Sequence, residues 1–311
     1  MEYPLQVYIS KSINDDNYLV STKTFLLEKV IVHEIAHQWW YNLVGFDQID
    51  WGFLDEGLTC WSVDYYGSVY HNHWTHFQIT RYFDSVRIDS TPSRINQSIY
   101  QIIKKYLDYI FISYSKSALI LGKISRTVKQ GNFINGLKTF FDQNQFGIAS
   151  LSDLQQALEE TISQSLDWLF FPCFDNDYLP KYRVTTCRFD DTAYNLTVVI
   201  EDENEQFNIY PYSQEVKVMV YNKDGEIIYD DYIWINSTTT LVLAMIDKPL
   251  KLRLEYGNDV IVQLSSAALT YLEKSIEEEV GTIPGYIFNF LLIIFFFSVI
   301  HIIFRYKTRI K

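Results

Sequence analysis

Two histidines four residues apart constrain this chain more than any other feature. In Val32-His33-Glu34-Ile35-Ala36-His37-Gln38-Trp39-Trp40, His33 and His37 project from one face of a helix, one turn above the other. Two neutral imidazoles at that spacing can grip one zinc ion. Glu34, about 100° round the helix, reaches toward a water beside the metal rather than the metal itself. The pattern is His-Glu-x-x-His.

The flanking sequence predicts a long, well-buried helix. Ser21-Thr22-Lys23-Thr24 offers capping hydroxyls, and Phe25, Leu26, Val30, Ile31, Ile35, Trp39 and Leu43 recur at helical spacing. Gly45 and the polar turn Asp47-Gln48-Ile49-Asp50 stop it. A second helical pattern opens at Phe53-Leu54-Asp55-Glu56-Gly57 and runs through Trp61, Val63 and Tyr66. Zinc needs a third protein ligand, with a fourth position left for water. Glu56, with eighteen residues between it and His37, can supply that ligand if the two helices pack antiparallel.

His33, Glu34, His37, the eighteen-residue gap and Glu56-Gly57 resemble the zinc site of the aminopeptidase N-type gluzincins. The resemblance implies one zinc per chain held by His33, His37 and Glu56, with Glu34 as general base. It implies an α+β fold whose first part, residues 1–172, is a mainly helical thermolysin-like peptidase domain. Family members carry a Tyr-x-Lys-Gly-Ala segment some sixty residues after the third ligand, whose Tyr donates to the oxyanion. Tyr114 falls there, with Ser117 in place of the glycine. They also carry a Gly-x-Met-Glu-Asn segment about thirty residues before the zinc helix, or Met-Glu-Tyr-Pro at that place, whose Glu binds the substrate's α-amine. Glu2 takes that role by resemblance. The leading glycine and the family's amino-terminal β-domain are absent from this chain, so a partial chain is expected. The implied activity is removal of N-terminal amino acids from peptides. Its alternatives are an endopeptidase of the same clan and a truncated, inactive zinc-binding membrane protein.

Composition narrows the classes. A 48% hydrophobic content with 24 Tyr and 21 Phe excludes global disorder, and a formal charge of −12 argues against nucleic acid as a partner. Cys60, Cys173 and Cys187 fit no disulfide framework or metal spacing; buried thiols are expected, with a Cys173–Cys187 pair as the alternative in an oxidising compartment.

Along the chain, Met1-Glu2-Tyr3-Pro4 followed by Leu5, Val7 and Ile9 reads as a turn running into a strand. His71, His73 and His76 share no helical face and lack an accompanying carboxylate, so they read as a surface turn. Helical patterns run from Ile99 to Leu119, from Phe133 to Phe141 and from Ser152 to Glu159, the last with a capping serine. The peptidase domain closes near Pro172–Pro180. After Pro180 the period becomes two. Tyr182–Val184, Leu196–Ile200, Val216–Val220, Ile227–Tyr229, Ile233–Ile235, Leu241–Leu243 and Leu250–Leu254 read as seven short strands of a small β-sandwich over 173–264. Asn195 and Asn236 open glycosylation sequons.

An acidic helical connector is expected over 265–284, then a transmembrane helix over 285–305 built on the uncharged run Tyr286 to Phe304, then a basic tail over 306–311. Arg305, Lys307, Arg309 and Lys311 place that tail in the cytoplasm. The expected protein is thus a single-pass cell-membrane peptidase with its catalytic domain outside. Its partners would be the lipid bilayer and peptides with a free N-terminus.

Overall fold

The computed structural model describes residues 2–10, 20–71, 93–102 and 109–255. The chain opens with a hairpin of two short antiparallel strands, β1 (Glu2–Tyr3) and β2 (Gln6–Val7). Leu5, expected in a strand, stands at the turn with φ 63° and is 99% exposed. Pro4 fixes its own φ and donates no hydrogen bond, so the chain reverses there instead of running on.

Helix α1 spans Val20–Ala36 and α2 spans Gly52–Tyr70. Ser21–Thr24 fall inside α1 rather than ahead of it. The expected continuation of α1 to Leu43 fails: His37 keeps a bond from its amide to the His33 carbonyl at 3.3 Å, and Tyr41 at φ 98° then turns the chain. Nor is α1 buried all round, since Ile35 and Trp39 are 43% and 48% exposed. Strand β3 (Gly45–Phe46) pairs in parallel with β4 (Ile148–Ala149), closing the loop between the two helices. Helix α2 enters the core directly, burying Phe53, Leu54, Leu58, Trp61 and Val63.

The following helical region includes a π-helical stretch, Ile110–Lys116, continuing into an α-helix over Ser117–Thr127. Helices Gln130–Asn144, Leu151–Ile162 and Asp167–Asp175 complete this layer. The capping serine is Ser150 rather than Ser152: it forms a reciprocal capping box with Asp153. Phe133, Phe140, Leu154, Phe170 and Phe174 join the α2 side chains in one core.

Six strands follow. β5 (Tyr182–Asp190), β6 (Asn195–Asp202) and β9 (Thr239–Ala244) form one antiparallel sheet; β10 (Pro249–Glu255), β7 (Ser213–Asn222) and β8 (Ile227–Asn236) form the other. Val198, Ile200, Val216, Val218, Ile235 and Leu252 fill the space between them. The two segments expected at Ile227–Tyr229 and Ile233–Ile235 are one continuous strand. Its Asp230 faces Lys217 of β7 at 3.0 Å and interrupts nothing.

The expectation of a transmembrane helix within this fold is corrected. Among the described residues no helix is long and apolar enough to cross a membrane. The two longest are interrupted by charge: Glu28, Lys29 and Glu34 in α1, and Asp55, Glu56 and Asp64 in α2. The described fold is a mixed helix-and-strand one without a span. Residues 285–305, with the connector 265–284 and the tail 306–311, lie outside the described residues. The lipid bilayer as a partner gains no support from those that are described.

Candidate zinc centre

α1 and α2 cross where His33, His37 and Glu56 meet. The Nε2 atoms of His33 and His37 are 3.2 Å apart, and Glu56 Oε2 lies 3.3 Å from the first and 3.6 Å from the second. Four ligands at 2.0–2.1 Å around a tetrahedral zinc stand about 3.3–3.4 Å from one another. The three atoms therefore already have the spacing of one face of that tetrahedron. Glu56 Oε2 is buried and accepts no hydrogen bond, as expected of an atom reserved for a cation. Among the described residues this is the group of His, Cys, Asp and Glu able to hold a metal. The donor set fits zinc.

The far side of each imidazole decides which nitrogen faces the metal position. His37 Nδ1 lies 2.7 Å from Asp55 Oδ1 and 3.3 Å from the Trp40 carbonyl, with Thr59 Oγ1 at 3.2 Å. Carboxylate and carbonyl are acceptors, so Nδ1 keeps its proton and Nε2 offers the lone pair. Gln48 holds the other Asp55 oxygen, donating from Nε2 at 2.9 Å. Burial lowers the His37 pKa, but Asp55 and Glu56 outweigh it and raise the group to about 10. Burial likewise raises Glu56, and the two histidines more than reverse that, to about 2. The carboxylates thus call for positive charge at this point.

Glu34 follows His33 on α1 and is buried. Tyr114 arrives from the π-helical stretch. Its hydroxyl donates to Glu56 Oε1, and its ring stacks on His33 at 6.0 Å and 11°. Burial, with the Glu56 charge, pushes the phenol well above its ordinary pKa, so it remains a donor. This approach depends on Gly57, where a Cβ would come within 2.7 Å of Ser117 Cβ. Ser117, the residue in place of the family's glycine, ties its hydroxyl to the Ile112 carbonyl at 2.8 Å. Lys116 anchors the same stretch, donating to the Ser93 carbonyl at 2.7 Å. Its burial lowers its pKa to about 8.

The backbone of the Glu2 hairpin is tied to the residue after His37. Gln38 accepts from the Leu5 amide at 2.8 Å and donates to the Tyr3 carbonyl at 3.2 Å. Of the histidine run, His71 contacts Glu28 at 2.9 Å on the surface, while His73 and His76 lie outside the described residues. The three cysteines form no disulfide.

The contacts that Asp55, Thr59 and Cys60 make with the two histidines are not signalled by the spacing of the zinc pattern. With Glu56 these three residues occupy positions i, i+1, i+4 and i+5 of α2, one contiguous patch of its surface. A polar Asp beside the third ligand, inside an apolar helix start, was the available signal.

Residues 1–172 match the Peptidase family M1 domain. Aminopeptidase 2 of Candida albicans is 30% identical over 160 residues, 50% of this chain and 17% of that protein. "Probable aminopeptidase 1" of Saccharolobus solfataricus is 26% identical over 291 residues, 89% of this chain and 35% of that protein. The chain therefore spans about a third or less of these relatives. The crystal structure of Legionella pneumophila aminopeptidase A in complex with aspartic acid shares the fold with a TM-score of 0.60 at 18% identity, covering 77% of this chain and 27% of that one.

Proposed function

The chain belongs to peptidase family M1, and from that premise we propose that it is a zinc aminopeptidase unit acting on peptides with a free N-terminus. The observation that carries the proposal is the convergence of His33 Nε2, His37 Nε2 and Glu56 Oε2 at tetrahedral spacing. His33, His37 and Glu56 would hold the metal. A zinc ion there supplies Lewis-acid activation of water and of the scissile carbonyl.

Glu34 takes the proton of the attacking water and returns it to the leaving amine. Tyr114 donates to the oxyanion as charge develops there. Its hydroxyl rests on Glu56 Oε1, so it must turn toward the substrate during attack. Glu2 holds the substrate's ammonium group, so that only the first peptide bond reaches the centre. The Gln38 clamp on the β1–β2 turn supports this assignment, because it fixes the hairpin backbone beside the second histidine.

The test compares a free aminoacyl substrate with its N-acetylated form, with zinc content measured alongside. The expected result is one zinc per chain, cleavage of the free form only, and loss of turnover in Glu34→Gln with zinc retained. Equal cleavage of both forms would indicate an endopeptidase. Zinc binding without any hydrolysis, unaffected by Glu34→Gln, would indicate a binding protein.

A further inference from the structure

The two imidazoles are backed unequally. His37 Nδ1 faces a carboxylate, a carbonyl and a hydroxyl, whereas His33 Nδ1 faces Cys60 Sγ at 3.8 Å. Cys60 sits on α2 one turn beyond Glu56 and is 1% exposed, so its sulfur is shielded, while the His33 side chain is 20% exposed. The face of the His33 ring is set by the stacked Tyr114 ring. What stacking leaves open is a half-turn about Cβ–Cγ, which keeps the ring plane but exchanges Nδ1 with Cδ2 and Nε2 with Cε1, and the choice of which nitrogen carries the proton. A partly buried ring N–H turned toward the protein needs an acceptor there, and a thiol sulfur is a weak one at a long reach.

We propose that Cys60 is the positioning residue of His33: its sulfur accepts from Nδ1–H and holds the tautomer whose Nε2 lone pair faces Glu56 and His37. One helix then supplies a metal ligand, Glu56, together with the outer partners of both histidines, Asp55 with Thr59 for one and Cys60 for the other. The inference rests on the zinc reading of the site. It assigns the thiol a role through His33, not as a ligand, because Sγ approaches the nitrogen that faces away from the metal position.

The experiment titrates the full chain with zinc against a chromophoric chelator, for wild type, Cys60→Val, Cys60→Ala and Cys60→Ser. Valine refills the volume without an acceptor; serine restores an acceptor. Loss of an outer partner weakens metal binding by about 10-fold or more. The expected result is that Val and Ala bind zinc about tenfold more weakly, with Ser recovering most of the loss. The visible absorption bands of the cobalt-loaded protein should follow the same order. Melting curves of the metal-free proteins separate ligand from packing effects: weaker zinc binding at an unchanged Tm supports the proposal, and weakening that merely tracks Tm across the series counts against it. The proposal is overturned if all three variants bind zinc as wild type does, or if Ser is as weak as Val. A wild-type chain that takes up no zinc instead removes the zinc reading itself.

Discussion

Asp55 Oδ1 lies 2.7 Å from His37 Nδ1, both side chains being almost wholly enclosed. The carboxylate fixes the tautomer of one proposed metal ligand and raises its basicity, and Gln48 fixes the carboxylate. Asp55→Ala should therefore weaken zinc binding by about 10- to 100-fold. Chelator competition measures this, and unchanged affinity would deny the carboxylate that role.

Gly57 brings the two walls of the site together. Alanine gains about 1 kcal/mol of helix propensity over glycine, but its Cβ would stand 2.7 Å from Ser117 Cβ. Overpacking of this kind costs about 1–3 kcal/mol, so Gly57→Ala should lower Tm and shift Tyr114 away from Glu56. Ser117→Gly removes the opposing atom. The double variant should regain most of the lost stability, and failure to do so would place the strain elsewhere.

Tyr114→Phe keeps the ring on His33 and removes the donor. Turnover should fall by about 10²- to 10³-fold with zinc content unchanged. A fall in zinc content of similar size would mean that the hydroxyl serves Glu56 rather than the substrate.

Two buried groups away from the ligands shape stability against pH. Burial raises Asp64 from 3.8 to about 7, Lys29 opposing, so the folded chain binds the extra proton between those values. The stability this adds is complete below pH 3.8 and is lost as pH rises through 7. Burial lowers Lys116 from 10.5 to about 8, Asp177 and Cys173 opposing, so between those values the unfolded chain holds the extra proton and stability rises with pH. Each limb amounts to at most about 3–5 kcal/mol. Urea midpoints in chelator should show Asp64→Asn flattening the acid limb and Lys116→Met the alkaline one. Parallel profiles for variant and wild type would refute the assignment.

The grouping of His33, His37 and Glu56 was legible in the sequence because two of them are set by the pitch of a single helix and the third by a fixed gap. The outer partners were less so. Thr59 and Cys60 meet the histidines only when α2 lies across α1, and of the three outer partners Asp55 alone left a local signal, a polar residue at an apolar helix start. Periodicity also failed at Tyr114, which the family resemblance singled out. The expected α-helical run from Ile99 to Leu119 includes a π-helical stretch at Ile110–Lys116, which changes the register of every side chain after it. The strand β8 runs unbroken through the exposed Asp230 and Asp231, which pair with Met219 and Val218, because strand pairing is a backbone matter that the alternation of apolar residues on either side does not report. Trp39 and Leu43 continue the apolar spacing of α1 beyond its end at Ala36, whereas the turn at Tyr41 is set by the backbone, which that spacing does not report.

The wide turn at Ile110–Lys116 makes this short piece of chain intolerant of a change in length. Removing one residue there would let the helix tighten to its ordinary pitch and swing Tyr114 by about 100° about the axis, away from Glu56. Substitutions that spare Tyr114 and the buried Ser113, Ser115 and Lys116 keep this register, whereas a single-codon loss before Tyr114 would carry the phenol away while leaving His33, His37 and Glu56 where they are.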